Sequence, residues 1–280
     1  MGAAISSSRY YAAMPAAEQQ SGVTVEIGGI PILLQSNDTD FCALIKQRYA
    51  GFVNPSVTPA YQFEIRLEPS AVLSEEDARV FKNGPVWRFG RGDFRAEWDA
   101  HSRRGWVRQS SNPYSIDTVL RIVHSLVLAE EGGFLVHAAS GVRHGRAFVF
   151  AGISGAGKTT MARLAPPDAV VLTDEISYIR RNGNGYQAYG TPFAGELARV
   201  GANLTAPLAA LYLLEKGSGN RIEPAGQFAA ARALLRHILF FAHDRELVKR
   251  VFESAVEFVS RVPVAWFVFA PDERAWELIR

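Results

Sequence analysis

Gly152-Ile153-Ser154-Gly155-Ala156-Gly157-Lys158-Thr159 fits the spacing G-x-x-x-x-G-K-[ST]. In that spacing the glycines let successive backbone N–H groups turn inward around phosphate oxygens, the lysine neutralises the terminal phosphates, and the threonine hydroxyl ligates Mg²⁺. Candidate nucleotide-binding residues are therefore Gly152, Ser154, Gly155, Ala156, Gly157, Lys158, Thr159 and Thr160, and the implied ligands are ATP and Mg²⁺. Only five of the 30 basic residues are lysines, so lysine at this position is a choice rather than background.

The flanks of this stretch supply its context. Phe134 to Val142 reads as a strand, His144-Gly145 as a tight turn, and Ala147 to Ala151 as a returning strand. A short helix from Lys158 must stop at Pro166-Pro167. Ala169 to Ile176 reads as one strand continuing through Tyr178 to Arg180, with a turn at Asn182-Gly183-Asn184-Gly185 and a return at Tyr186 to Tyr189. The loop is thus expected between antiparallel hairpins. Asp174 and Glu175 close the long strand, and neighbouring carboxylates on a strand face opposite ways. One could hold a metal while the other accepts a hydroxyl proton. By pattern alone His137 is a core histidine on an apolar strand, Glu196 is a surface acid in a turn-rich stretch, and Arg199 is a solvated arginine or a phosphate clamp.

With 280 residues and 48% hydrophobic content, the chain can bury a sizeable core. Its 30 basic residues nearly cancel its 28 acidic ones, which argues against nucleic acid as a partner. No stretch is apolar enough for a membrane span, and the single Cys42 fits a reducing compartment, so the expectation is cytoplasmic. Residues 1–20 read as a disordered tail, in which Met1, Gly2 and Ser6 satisfy the short N-myristoylation pattern.

Residues 21–131 read as a sheet-rich N-terminal domain. It holds a hairpin at Val23 to Leu34, a helix at Asp38 to Tyr49, strands at Tyr61 to Leu67, Phe94 to Asp99 and Trp106 to Gln109, and a helix at Ser115 to Ala129. Glu130-Glu131-Gly132-Gly133 marks the boundary with a second domain, 132–280. That domain continues with a strand at Leu208 to Leu214, helices at Gln227 to Ala242 and Asp244 to Val259, a strand at Val264 to Phe269, and a closing helix. The apolar faces of the two long helices read as core rather than as a partner surface. The fold class is α/β of the α+β kind, with a mixed sheet.

Phe134-Leu135-Val136-His137, the glycine stretch and Val171-Leu172-Thr173-Asp174-Glu175 together resemble the HPr kinase/phosphorylase catalytic domain. The resemblance implies the phosphoenolpyruvate carboxykinase-like fold. It makes Asp174 the base that takes the acceptor's proton, Thr159 and Glu175 the Mg²⁺ shell, and His137 a residue lining the phosphate pocket. Gly190-Thr191-Pro192-Phe193-Ala194-Gly195-Glu196 is similar to stand-alone relatives tied to peptide-modification clusters, such as lasso-peptide precursor kinases, which adds Glu196 to the metal residues. Related enzymes assemble as oligomers, so self-association is implied as well. Glu175 stands where that family usually has Asp, and HPr as acceptor is not implied. The expectation is a kinase for a serine-type hydroxyl on a peptide or small protein; a non-catalytic nucleotide sensor and a small-metabolite kinase stay open beside it.

Overall fold

Val23, Val25 and Ile27 alternate inward along β1 (Ser21–Ile27), and Gly28-Gly29, both at positive φ, reverse the chain into β2 (Ile30–Ser36). The computed structural model describes residues 21–69 and 77–279, so the expected N-terminal tail and its acylation pattern lie outside the described residues. Asp38 starts α1 (Thr39–Arg48), its side chain accepting the Phe41 N–H at 2.7 Å. Then come β3 (Tyr61–Leu67), β4 (Arg79–Asn83), β5 (Val86–Arg91), β6 (Phe94–Asp99) and β7 (Arg104–Gln109). The strands form one mixed seven-stranded sheet in the order β1-β2-β3-β7-β6-β5-β4. β4 and β5 were not expected from the sequence. Phe81 faces water beside the buried Val80, and this masks the alternation that marks a strand.

The outer face of this sheet carries Phe81, Arg88, Glu97, Trp106 and Glu64 in one cross-strand row. Its inner face packs on α2 (Pro113–Glu131). Asn112 caps that helix by accepting the Tyr114 and Ser115 N–H groups, Pro113 sits at its start, and Gly132 at φ 78 ends it. α2 is apolar almost all round, as a helix buried between two layers must be. Val25, Phe63 and Val107 of the first sheet, Val119 and Leu126 of α2, and Leu135, Tyr178 and Leu247 of the second half form one continuous apolar cluster. Each such side chain contributes about 1.5–3 kcal/mol on burial.

The second half contains β8 (Phe134–Arg143), β9 (Arg146–Ala151), α3 (Lys158–Arg163), β10 (Ala169–Thr173), β11 (Ile176–Asn182), β12 (Gly185–Tyr189) and β13 (Thr205–Lys216). It continues with β14 (Arg221–Pro224), α4 (Gln227–Leu235), β15 (Ile238–Leu239), α5 (Arg245–Arg261) and β16 (Val264–Phe269). This nine-stranded sheet is also mixed. β8 and β9 form an antiparallel hairpin before the glycine stretch and β11 and β12 another after it, while β9 also pairs parallel with β13.

Three expectations need correction here. The strand expected over Ala169 to Ile176 is two strands, broken at Asp174-Glu175 because the Thr173 hydroxyl accepts the N–H groups of Glu175 and Ile176, both at 3.2 Å. The helix expected to reach Ala242 stops at Leu235, because Ile238 and Leu239 pair with Val136 and Leu135 of β8. The closing helix is a 3₁₀ segment, Glu273–Leu278. On α5, Val251, Ala255 and Phe258 are core, but Val248, Phe252 and Val256, spaced four apart, are exposed.

Among the described residues no helix is long and apolar enough to cross a membrane. The halves are tied where Arg180 donates to the Gly28 carbonyl at 2.6 Å and to Glu131 at 2.8 Å. Gly28 lies so close to the Tyr178 ring that a Cβ there would be 2.2 Å away. Buried His124 of α2 shares a 3.0 Å hydrogen bond with the Tyr178 hydroxyl. Burial pushes the His124 pKa down to about 3, and it holds Tyr178 protonated.

Candidate functional site

β9 delivers the chain to Gly152, and α3 begins at Lys158. Gly155 (φ 76) and Gly157 (φ 112) take left-handed backbone that a side chain disfavours. At Gly157 a Cβ would also meet the Phe269 ring at 2.4 Å, so the turn is closed to any larger residue. The Ala156 N–H donates to the Ile153 carbonyl at 3.0 Å, which tightens the loop, while Ser154 and Ile153 point to solvent. Lys158 is buried. Its Nζ donates back to the carbonyls of Gly152 at 3.0 Å and Ile153 at 3.1 Å, so the loop folds around the ammonium. Burial lowers the Lys158 pKa, against an opposing pull from Glu175 and Glu196. Thr159 and Thr160 are half-buried in the first turn of α3.

His137 stands on β8 opposite Ile176 of β11, and its N–H donates to the His237 carbonyl at 2.8 Å. Its Nε2 is 4.0 Å from Glu175 Oε1. Burial, then the positive charge of Lys158, lowers its pKa below the ordinary histidine value, so the ring is neutral at neutral pH. His237 is lowered for the same two reasons. His137 is therefore brought to the lysine rather than sealed in the core, as the apolar pattern around it had suggested.

Asp174 and Glu175 occupy the bend between β10 and β11 instead of alternating on one strand. Asp174 is 4% exposed, and its two oxygens accept the N–H groups of Gly195 at 3.0 Å and Leu197 at 2.9 Å. Those two bonds fix the stretch that carries Glu196. A Cβ on Gly195 would fall 2.6 Å from Glu175 Oε2, so glycine lets the backbone reach both carboxylates. Glu175 is half-buried and accepts no side-chain hydrogen bond among the described residues, and Glu196 is exposed. Arg199 is exposed and joins no hydrogen bond or ion pair among them.

The structure thus gathers Lys158, His137, Glu175 and the Glu196 stretch around the glycine turn. Two groups escaped the sequence reading. His237 arrives because β15 pairs with β8 and turns the chain beside His137. Arg121, on α2, lies with its guanidinium 5.1 Å from the centre of the Phe193 ring and close enough to Glu175 for their charges to interact. Its signal in the sequence was a lone cation between Leu120 and Ile122 in a helix otherwise apolar at its centre. No three His, Cys, Asp or Glu side chains form a metal cage among the described residues.

Residues 109–279 match the family described as SynChlorMet cassette protein ScmC. No curated protein matches the chain.

Proposed function

The chain belongs to the ScmC family, and on that premise we propose that it is an ATP- and Mg²⁺-dependent phosphotransferase acting on a serine-type hydroxyl of a peptide or small protein. The observation that carries this reading is Lys158. It is a buried ammonium folded into a glycine turn whose backbone only glycine fits, with a neutral histidine and an unengaged carboxylate beside it. A solvated lysine in an ordinary turn would keep none of these features. The antiparallel hairpin before the turn, the short α3 and the acid pair after it support a phosphoenolpyruvate carboxykinase-like, HPr kinase-like second half.

Bound ATP with Mg²⁺ would supply the phosphoryl group and neutralise the charge on it. The residues present suit that complex. Lys158 can exchange its two loop carbonyls for phosphate oxygens, and Thr159 offers a hydroxyl at the head of α3. Mg²⁺ needs only one or two carboxylates besides phosphates and water, so the lack of a three-residue cage among the described residues is no obstacle. We assign Glu175, Glu196 and Thr159 to the metal. Asp174, oriented by the two N–H bonds from Gly195 and Leu197, keeps two of a carboxylate's roughly four acceptor positions to take the hydroxyl proton. His137, uncharged, can donate to or accept from the phosphate pocket without adding charge.

A cassette protein fits an acceptor encoded beside its own gene. The test is transfer of label from γ-labelled ATP to the short peptides of that neighbourhood, with Lys158→Ala as control. Label on a seryl group that disappears in the control supports the reading. Tight ATP binding with no label on any peptide or metabolite would leave a nucleotide sensor in its place.

A further inference from the structure

Arg121 projects from the middle of α2, and its Nε is shut off from water with no hydrogen-bond partner. Asp117, one turn earlier on the same helix, is the acid best placed to answer it. That carboxylate is already engaged: both its oxygens take the Arg48 guanidinium, with Nε at 3.1 Å from each, and the Tyr49 hydroxyl donates to it as well. Arg121 is left with the face of the Phe193 ring and with no hydrogen bond or ion pair among the described residues. A half-buried guanidinium with a nitrogen shut off from water, and with acids near it but none bonded to it, gains from an anion that completes it.

The surroundings say where that anion belongs. Phe193 opens the stretch whose Gly195 backbone abuts both Asp174 and Glu175. Glu175 in turn lies beside His137 and close to Lys158. Arg121 therefore borders the same space as the groups around the glycine turn. It is brought there by the helix that packs the first sheet onto the second.

We propose that Arg121 binds the phosphoryl group that is transferred, as a second cation beside Lys158. This rests on the nucleotide reading above and extends it, because the site is then incomplete without α2. A planar guanidinium offers paired N–H donors to two phosphate oxygens, which a lysine cannot reproduce. Such a group acts on the terminal phosphate alone, whereas the glycine turn and Lys158 also hold the diphosphate end.

The test compares equilibrium binding of ATP and of ADP, each with Mg²⁺, to the full chain and to its Arg121→Met and Arg121→Lys variants. Loss of about tenfold or more in ATP affinity is expected for Arg121→Met, with ADP affinity within about twofold, since hydrogen bonds to charged groups fall in that range. Arg121→Lys should lose several-fold for ATP only. Retained ADP binding also reports that the variants are folded. An unchanged ratio of ATP to ADP affinity in both variants overturns the assignment while sparing the nucleotide reading. Failure of the unaltered chain to bind either nucleotide overturns both.

Discussion

The outer face of the first sheet and the glycine-turn edge of the second are both charged, yet their charges are arranged in opposite ways. On the first sheet Arg88 meets Glu97 at 2.8 Å and Arg66 meets Glu64 at 2.9 Å, in register or two residues apart, with both arginines exposed and both glutamates half-buried. Such pairs are screened by water and keep a sheet face soluble. At the glycine turn Lys158 is buried, Arg121 has a buried unpartnered nitrogen, and Glu175 accepts no side-chain bond among the described residues. Charges answered in water indicate a surface. Partly buried charges gathered without ion-pair partners at hydrogen-bond distance are what the proposed phosphate site would need. Two surface hollows, lined by Phe81, Arg88 and Trp106 and by Asp77, Arg79 and Arg91, lie on the first sheet.

The contrast is broken most severely by substituting glycine. Gly157→Ala forces a methyl into the Phe269 ring at φ 112, and should cost about 3 kcal/mol of stability and abolish ATP binding. Gly84→Ala, at φ 60 in the β4–β5 turn with open space around it, should cost about 1 kcal/mol and leave ATP binding unchanged. Thermal melts with and without ATP check both. Equal losses at the two positions would remove the distinction drawn between the regions.

A smaller effect belongs to the junction. His124 is neutral in the folded chain, with a pKa of about 3, whereas in the unfolded chain it titrates near 6.5. The unfolded chain therefore binds the extra proton between those values. The stability contributed by the neutral ring is complete above pH 6.5 and falls as the pH drops toward 3, by up to about 1.4 kcal/mol per pH unit. Denaturant midpoints between pH 7 and 4 should show this slope, and His124→Gln should flatten it.

The segment Phe134 to Tyr189 was largely legible in the sequence, because most of its strands run into residues that must end them. Examples are His144-Gly145, Gly152 and the Asn182–Gly185 turn. β3 and β16 matched their expected limits, since apolar residues there run between clear breakers. The break at Asp174-Glu175 was hidden because it depends on one hydroxyl, that of Thr173, accepting two backbone N–H groups. His237 was hidden because α4 ends through pairing with a distant strand rather than through its own sequence. Arg121 could not be placed at the site from helical periodicity, which shows that it lies on a buried helix and not what lies opposite.

Gly195→Ala should leave ATP binding within a few-fold while lowering transfer about tenfold to a hundredfold, because its methyl would displace Glu175 and Asp174. Steady-state rates beside binding constants separate the two. The smallest effect is expected on the first sheet. A double-mutant cycle of Arg88→Ala and Glu97→Ala should give a coupling of no more than about 0.5 kcal/mol and no change in nucleotide affinity.

The most direct test of phosphoryl transfer at this site is to measure Asp174→Asn for ATP binding and for label transfer on the same preparation. Asn keeps an oxygen that can accept one of the Gly195 and Leu197 N–H groups, and it cannot take up the hydroxyl proton. Binding should stay within about threefold while transfer falls by about a hundredfold or more. Full transfer by Asp174→Asn, with ATP binding intact, would contradict the account.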